Sequence, residues 1–116
     1  MDNWKNIRLE LGRSSEFPTG SVSRAYLIRL PLDDCDFVDQ RAFAASPFRA
    51  TVRRHWAAEA DERGRMVQSG EDWVMRRDGR PDRIFQFNGT PVRLGQQISM
   101  TEPDGTVLLF KIAGVR

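Results

Sequence analysis

The chain has 116 residues, 40% of them hydrophobic and 29% charged, with a formal net charge of +2. Those values describe a single globular domain over 1–116 and exclude a disordered or collagen-like chain. No stretch is long or apolar enough to span a bilayer, and MDNWKNIRLEL lacks the parts of a secretory leader, so the expected location is cytoplasmic with no membrane partner.

In chain order, the first strand is NIRLEL, where Ile7, Leu9 and Leu11 alternate with Arg8 and Glu10. GRSSEFPTGS reads as a loop. In SVSRAYLIRL, Tyr26, Ile28 and Leu30 share one face while Ala25, Leu27 and Arg29 share the other. Apolar residues on both faces point to a well-covered strand. A short helix is expected near 36–46, with Asp34 or Asp36 as its cap and Pro47 as its stop. The third strand is FRATVRRHW. Alternation puts Phe48, Ala50, Val52, Arg54 and Trp56 on one side, and Arg49, Thr51, Arg53 and His55 on the other. Val52 and Trp56 mark their side as core. Arg54 must then reach a buried carboxylate or sit at an open barrel end.

AAEADERG reads as a polar connection, and the second half reads as a meander. RMVQ and DWVMRR flank a turn at Ser69-Gly70, and Asp78-Gly79 marks another, across which Asp82 is expected to face Arg77. Asn88-Gly89 is a strong hairpin signal, and a two-residue turn there sets Phe87 opposite Thr90 and Phe85 opposite Val92. At Glu102-Pro103-Asp104-Gly105 a three-residue loop pairs Ile98 with Phe110 and Met100 with Leu108. The expected fold is mainly β: a small antiparallel, partly open β-barrel or strongly curved sheet of about 7–8 short strands with one short helix.

The chemistry-bearing residues are few. Cys35 is the only cysteine, so no internal disulfide forms, and Asp33, Asp34 and Asp36 around it disfavour a thiolate. One histidine, His55, and one cysteine fall short of a zinc set. The run Asp33, Asp34, Asp36 and Asp39 lacks the Gly and Glu of a calcium loop. No nucleophile elbow, Walker loop or dinucleotide fingerprint occurs. The Asn88-Gly89-Thr90 sequon reads as hairpin chemistry rather than a glycosylation site. No metal, cofactor or catalytic residue is therefore assigned.

Arginine supplies all basic residues except Lys5 and Lys111. Arginine suits bidentate recognition of phosphate or carboxylate. Arg53, Arg54, Arg76, Arg77, Arg80 and Arg83 fall in two Arg-rich stretches near Trp56 and Trp73. The candidate ligand face is Arg53, His55, Trp56, Trp73, Arg76 and Arg83. Interspersed carboxylates and the small net charge weigh towards local charge pairing. Val107 and Leu109 lie opposite Leu108, Phe110 and Ile112 on the last strand, so the helix or a second chain must cover them.

In FPTGSVSRAYLIRLPL, TVRRHWAAEADERGRM, Trp73 and PVRLGQQISMTEPDGTVLLFKIAGV, the chain resembles a family of short proteobacterial proteins with no established activity. The resemblance covers most of the chain. It implies a fold and carries over no catalytic residue. The expected function is a non-catalytic small β-domain that contacts a protein partner, its own copy or a ligand. Single-stranded nucleic-acid binding through an arginine-aromatic surface is the alternative, and an enzyme with a His55-containing pocket ranks last.

Overall fold

The computed structural model describes residues 3–87 and 89–116. Eight strands follow one another as an antiparallel meander: β1 (Trp4–Leu11), β2 (Ser21–Pro31), β3 (Thr51–Trp56), β4 (Glu62–Ser69), β5 (Asp72–Arg76), β6 (Arg83–Gln86), β7 (Gln97–Thr101) and β8 (Val107–Val115). Each pairs with the next, and β8 pairs back onto β1, so the barrel is fully closed. Closure satisfies every strand edge without a partner. No helix is long and apolar enough to cross a membrane.

The inner wall follows the alternation. Ile7 faces Ile28, and Ile28 faces Val52. Phe85 faces Met100, and Ile98 faces Phe110. An eight-stranded barrel is just wide enough for side chains to fill it. Tyr26 is fully buried at the centre. Its ring meets Phe85 and Phe110 edge-on at 5.0 and 5.3 Å. Burying each such side chain contributes about 1.5–3 kcal/mol.

The two ends differ. One is plugged by residues 32–50, 87 and 89–96. Helix α1 (Gln40–Ala45) sends Phe43 onto Trp73 at 4.8 Å, and Val92 donates its N–H to the Asp36 carbonyl at 2.7 Å. The other end is the mouth, ringed by the loops 12–20, 57–61, 77–82 and 102–106.

Several expectations need correction. The helix is capped by Asp39, whose Oδ1 accepts from the Ala42 N–H at 3.0 Å, not by Asp34 or Asp36. Asp33 instead folds the acidic run into a turn by accepting from the Cys35 and Phe37 N–H groups. Phe48 is not on the core face of β3. Residues Pro47–Arg49 form a 3-10 turn, which leaves Phe48 exposed. The polar connection ends at Asp61, because Glu62 already begins β4. Asp82 pairs with Arg76 at 3.1 Å rather than Arg77. Met75 faces Arg83, so the register carries Asp82 opposite Arg76 while Arg77 turns inward.

The expected Asn88-Gly89 turn rests on Asn88, which lies outside the described residues. Phe87 and Thr90 do meet as expected, the Thr90 N–H donating to the Phe87 carbonyl at 2.7 Å, but the pairing goes no further: Phe85 faces Met100, not Val92. Phe87 and Val92 are instead buried in the plug, so the chain leaves the sheet there rather than extending the hairpin. The last hairpin has the expected register, with Ile98 facing Phe110, Met100 facing Leu108 and Gly105 at φ 90°.

Gly64 stands on the inner wall opposite Val52. A Cβ there would lie 2.8 Å from the Arg76 carbonyl oxygen and 2.9 Å from Arg77 Cγ. The missing side chain makes room for the Arg77 stem to enter the barrel. Gly64→Ala should cost about 1–3 kcal/mol in urea unfolding, because the backbone cannot yield cheaply.

Candidate binding site at the barrel mouth

The apolar column of the barrel gives way, at the mouth, to a layer of ions. β3 and β4 set Arg54 opposite Glu62, and Tyr26 lies opposite Arg54 on β2. Arg77 follows β5, Arg83 begins β6 and Glu102 follows β7. All of these side chains enter from the wall by strand alternation.

Glu62 is the hub. Its Oε1 accepts from Arg77 Nη1 at 2.7 Å, and its Oε2 accepts from Arg83 Nη1 at 3.2 Å and lies 3.7 Å from Arg54 Nη1. Arg83 Nε donates to Glu102 at 2.9 Å, and Arg54 Nη1 donates to Glu59 at 3.2 Å. Burial alone would raise the Glu62 pKa. The charges of Arg83, Arg77 and Arg54 outweigh it and hold the carboxyl below its ordinary 4.5. Burial also pushes the Tyr26 phenol up to about 12, against the pull of Arg83 and Arg54. Among the described residues, the Tyr26 hydroxyl and the Nε atoms of Arg54 and Arg77 are buried without a hydrogen-bond partner.

Above the ion layer is a cleft of about 290 Å³ lined by Leu11, Ser14, Glu16, Phe17, Arg24, Trp56, Glu59 and Leu108. Ser14 accepts from the Phe17 N–H at 3.0 Å, and the Phe17 carbonyl accepts from Gly20, so the loop holds Phe17 over the mouth. The Arg24 guanidinium lies 4.3 Å from the centre of the Phe17 ring and 5.9 Å from that of Trp56. Arg54 stacks on the same Trp56 ring at 4.3 Å. Trp56 is thus contacted by two cations.

The six candidate face residues do not converge. Arg53 and His55 are on the outer wall and share Asp61, at 3.7 and 2.9 Å. The hydrogen bond from His55 is the main reason the Asp61 carboxyl is held below its ordinary value. Arg76 is also outside, on Asp82. Trp73 is buried in the plug at the opposite end. Only Trp56 and Arg83 belong to the mouth. Each arginine of the set faces a carboxylate, so little charge is left over for a phosphate backbone. Among the described residues, no group of three or more His, Cys, Asp or Glu side chains is placed to hold a metal.

The candidate face left out Arg24, Glu62, Arg77 and Glu102. Arg24 has the same parity as Tyr26, Ile28 and Leu30, so alternation alone would have put it inside. Arg76 and Arg77 split between the two sides of the sheet as Arg53 and Arg54 do.

Glu62→Gln should lower stability by about 2–3 kcal/mol, because it leaves three largely buried guanidiniums without their shared anion. A folded-state pKa below the unfolded value means that the unfolded chain binds more protons on acidification. The Glu62 contribution is therefore full above its ordinary 4.5 and is lost as pH falls through the lowered folded value. Urea midpoints measured from pH 7 downward should show an acid-side loss that is smaller in Glu62→Gln. No family model matches this chain, and neither a curated protein nor a solved structure does.

Proposed function

We propose that this barrel is a non-catalytic binding module that takes a small carboxylate-bearing organic molecule at its mouth. The observation that carries the reading is Arg24. Among the described residues its guanidinium meets no carboxylate, its one polar contact being Ser21 Oγ at 3.2 Å. It is held in an aromatic cleft, ready to donate a forked pair of hydrogen bonds. Barrel mouths are common ligand sites, and this one combines apolar walls with a fixed cation.

Binding rather than catalysis fits the groups present. Guanidiniums do not exchange protons near neutral pH, and the Tyr26 phenol is far above it. His55 is on the outer wall, away from the cleft. Nucleic-acid binding has less support, since the outer arginines Arg53 and Arg76 are each matched by an aspartate.

A second reading, self-association, has its own observation. Val107 and Leu109 are 59% and 46% exposed, and the helix that was expected to cover them sits at the far end of the barrel. Leu109 and the exposed Val22 line one groove on the outer wall. Light scattering across a concentration series tests it: Leu109→Ser should shift any dimer to monomer, and a wild-type chain that stays monomeric when concentrated removes the reading.

For the mouth, 3-phenylpropionate should change Trp56 emission, and Trp56→Phe should abolish the change, because Trp4 and Trp73 belong to the plugged end. Arg24→Gln should weaken binding by about tenfold or more, the worth of a charge-assisted hydrogen bond. No response in the wild type either to this acid or to the amino acid with the same side chain would end this reading.

A further inference from the structure

The cleft holds two kinds of charge that do not neutralise each other. Arg24 and Glu16 both line it, yet no ion pair joins them, and among the described residues neither has another ionic partner. Glu59 lines the same space, but its carboxylate is already engaged by Arg54 at 3.2 Å. Arg24 and Glu16 therefore line one small space without an ion pair between them. Phe17, Trp56, Leu11 and Leu108 supply apolar walls between them.

A ligand with only a carboxylate would satisfy Arg24 but meet Glu16 and Glu59 in a partly dry cleft. Like charges brought together there oppose binding. A ligand with only an ammonium would meet Arg24. A zwitterion removes both conflicts. Size narrows the class further: ligand pockets run from roughly 300 to 1,000 Å³, and about 290 Å³ is at the small end.

We infer that the mouth selects a free amino acid with an apolar or aromatic side chain, its carboxylate on Arg24 and its ammonium on Glu16. This rests on the mouth being a ligand site. Glu16 takes the ammonium because Glu59 is committed to Arg54. The side chain lies against Phe17 and Trp56, where an aromatic ring finds edge or face contact.

The test compares L-phenylalanine, 3-phenylpropionate and 2-phenylethylamine by titration calorimetry and Trp56 emission on the full chain. Phenylalanine should bind at least tenfold more tightly than either single-charge analogue. Glu16→Gln, a change on an exposed loop, should remove that advantage and leave phenylpropionate no weaker. Phenylpropionate binding as tightly as phenylalanine would overturn the amino-acid assignment while leaving the mouth a carboxylate site. An unaltered phenylalanine affinity in Glu16→Gln would also overturn it. Silence from all three probes would remove the mouth reading itself.

Discussion

One carboxylate governs the upper third of this barrel. Glu62 is shared by three guanidiniums that reach it from β3, from the end of β5 and from β6. Arginine inside a closed barrel is costly unless its charge is answered. Here all three share one acceptor, with Glu59 and Glu102 also engaging Arg54 and Arg83, so the positions of Arg54, Arg77 and Arg83 depend on one another. The geometry explains Gly64 two residues further along β4, because Arg77 can reach Glu62 only if the wall between them is bare. It also fixes Trp56, whose ring lies against the Arg54 guanidinium.

That arrangement gives the two ends different work. The plugged end is apolar, with Phe43 on Trp73 and Phe87 and Val92 buried beneath it. The mouth is ionic below and aromatic above, and its lining residues come from β1, β2, β3, β8 and two loops. Closure leaves no strand edge for a partner to extend. Recognition must then use the mouth or the outer wall, and the mouth combines concavity and aromatic walls with an arginine that has no acidic partner among the described residues.

Much of this was legible from alternation. The parity of TVRRHW already separated Arg54 from Arg53, and the inward arginine finds both a carboxylate and a barrel end. Its carboxylate partners were hidden because Glu59 and Glu62 both read as part of an acidic connection. The turn that frees Glu62 contains Ala58 at φ 64° instead of a glycine, so no local signal marks where β4 begins. The candidate face failed to assemble for a related reason. Neighbours in sequence were grouped, whereas a strand sends neighbours to opposite sides, and Trp73 belongs to the opposite end. The Asn88-Gly89 signal rightly brought Phe87 and Thr90 together, but not Phe85 and Val92, because Phe87 and Val92 are buried in the plug, a long-range preference invisible in the dipeptide. The last hairpin was legible because turn chemistry and apolar pairing agreed on one register.

The seam between β1 and β8 bears on how the molecule assembles. Most other neighbouring strands are joined by turns or short loops, whereas the seam brings Ile7 against Val115. By polymer statistics that closure costs roughly 3 kcal/mol more chain entropy than a short turn. Most of the meander consists of contacts local in sequence, which form early, while the seam is a long-range step that waits for them. Until it closes, β1 and β8 each present an unpaired edge, and Val107 and Leu109 stand exposed beside one of them. The interval before closure is therefore when the chain is most open to pairing with a neighbour, and the β1–β8 ladder is as much a guard against aggregation as a support for the finished barrel.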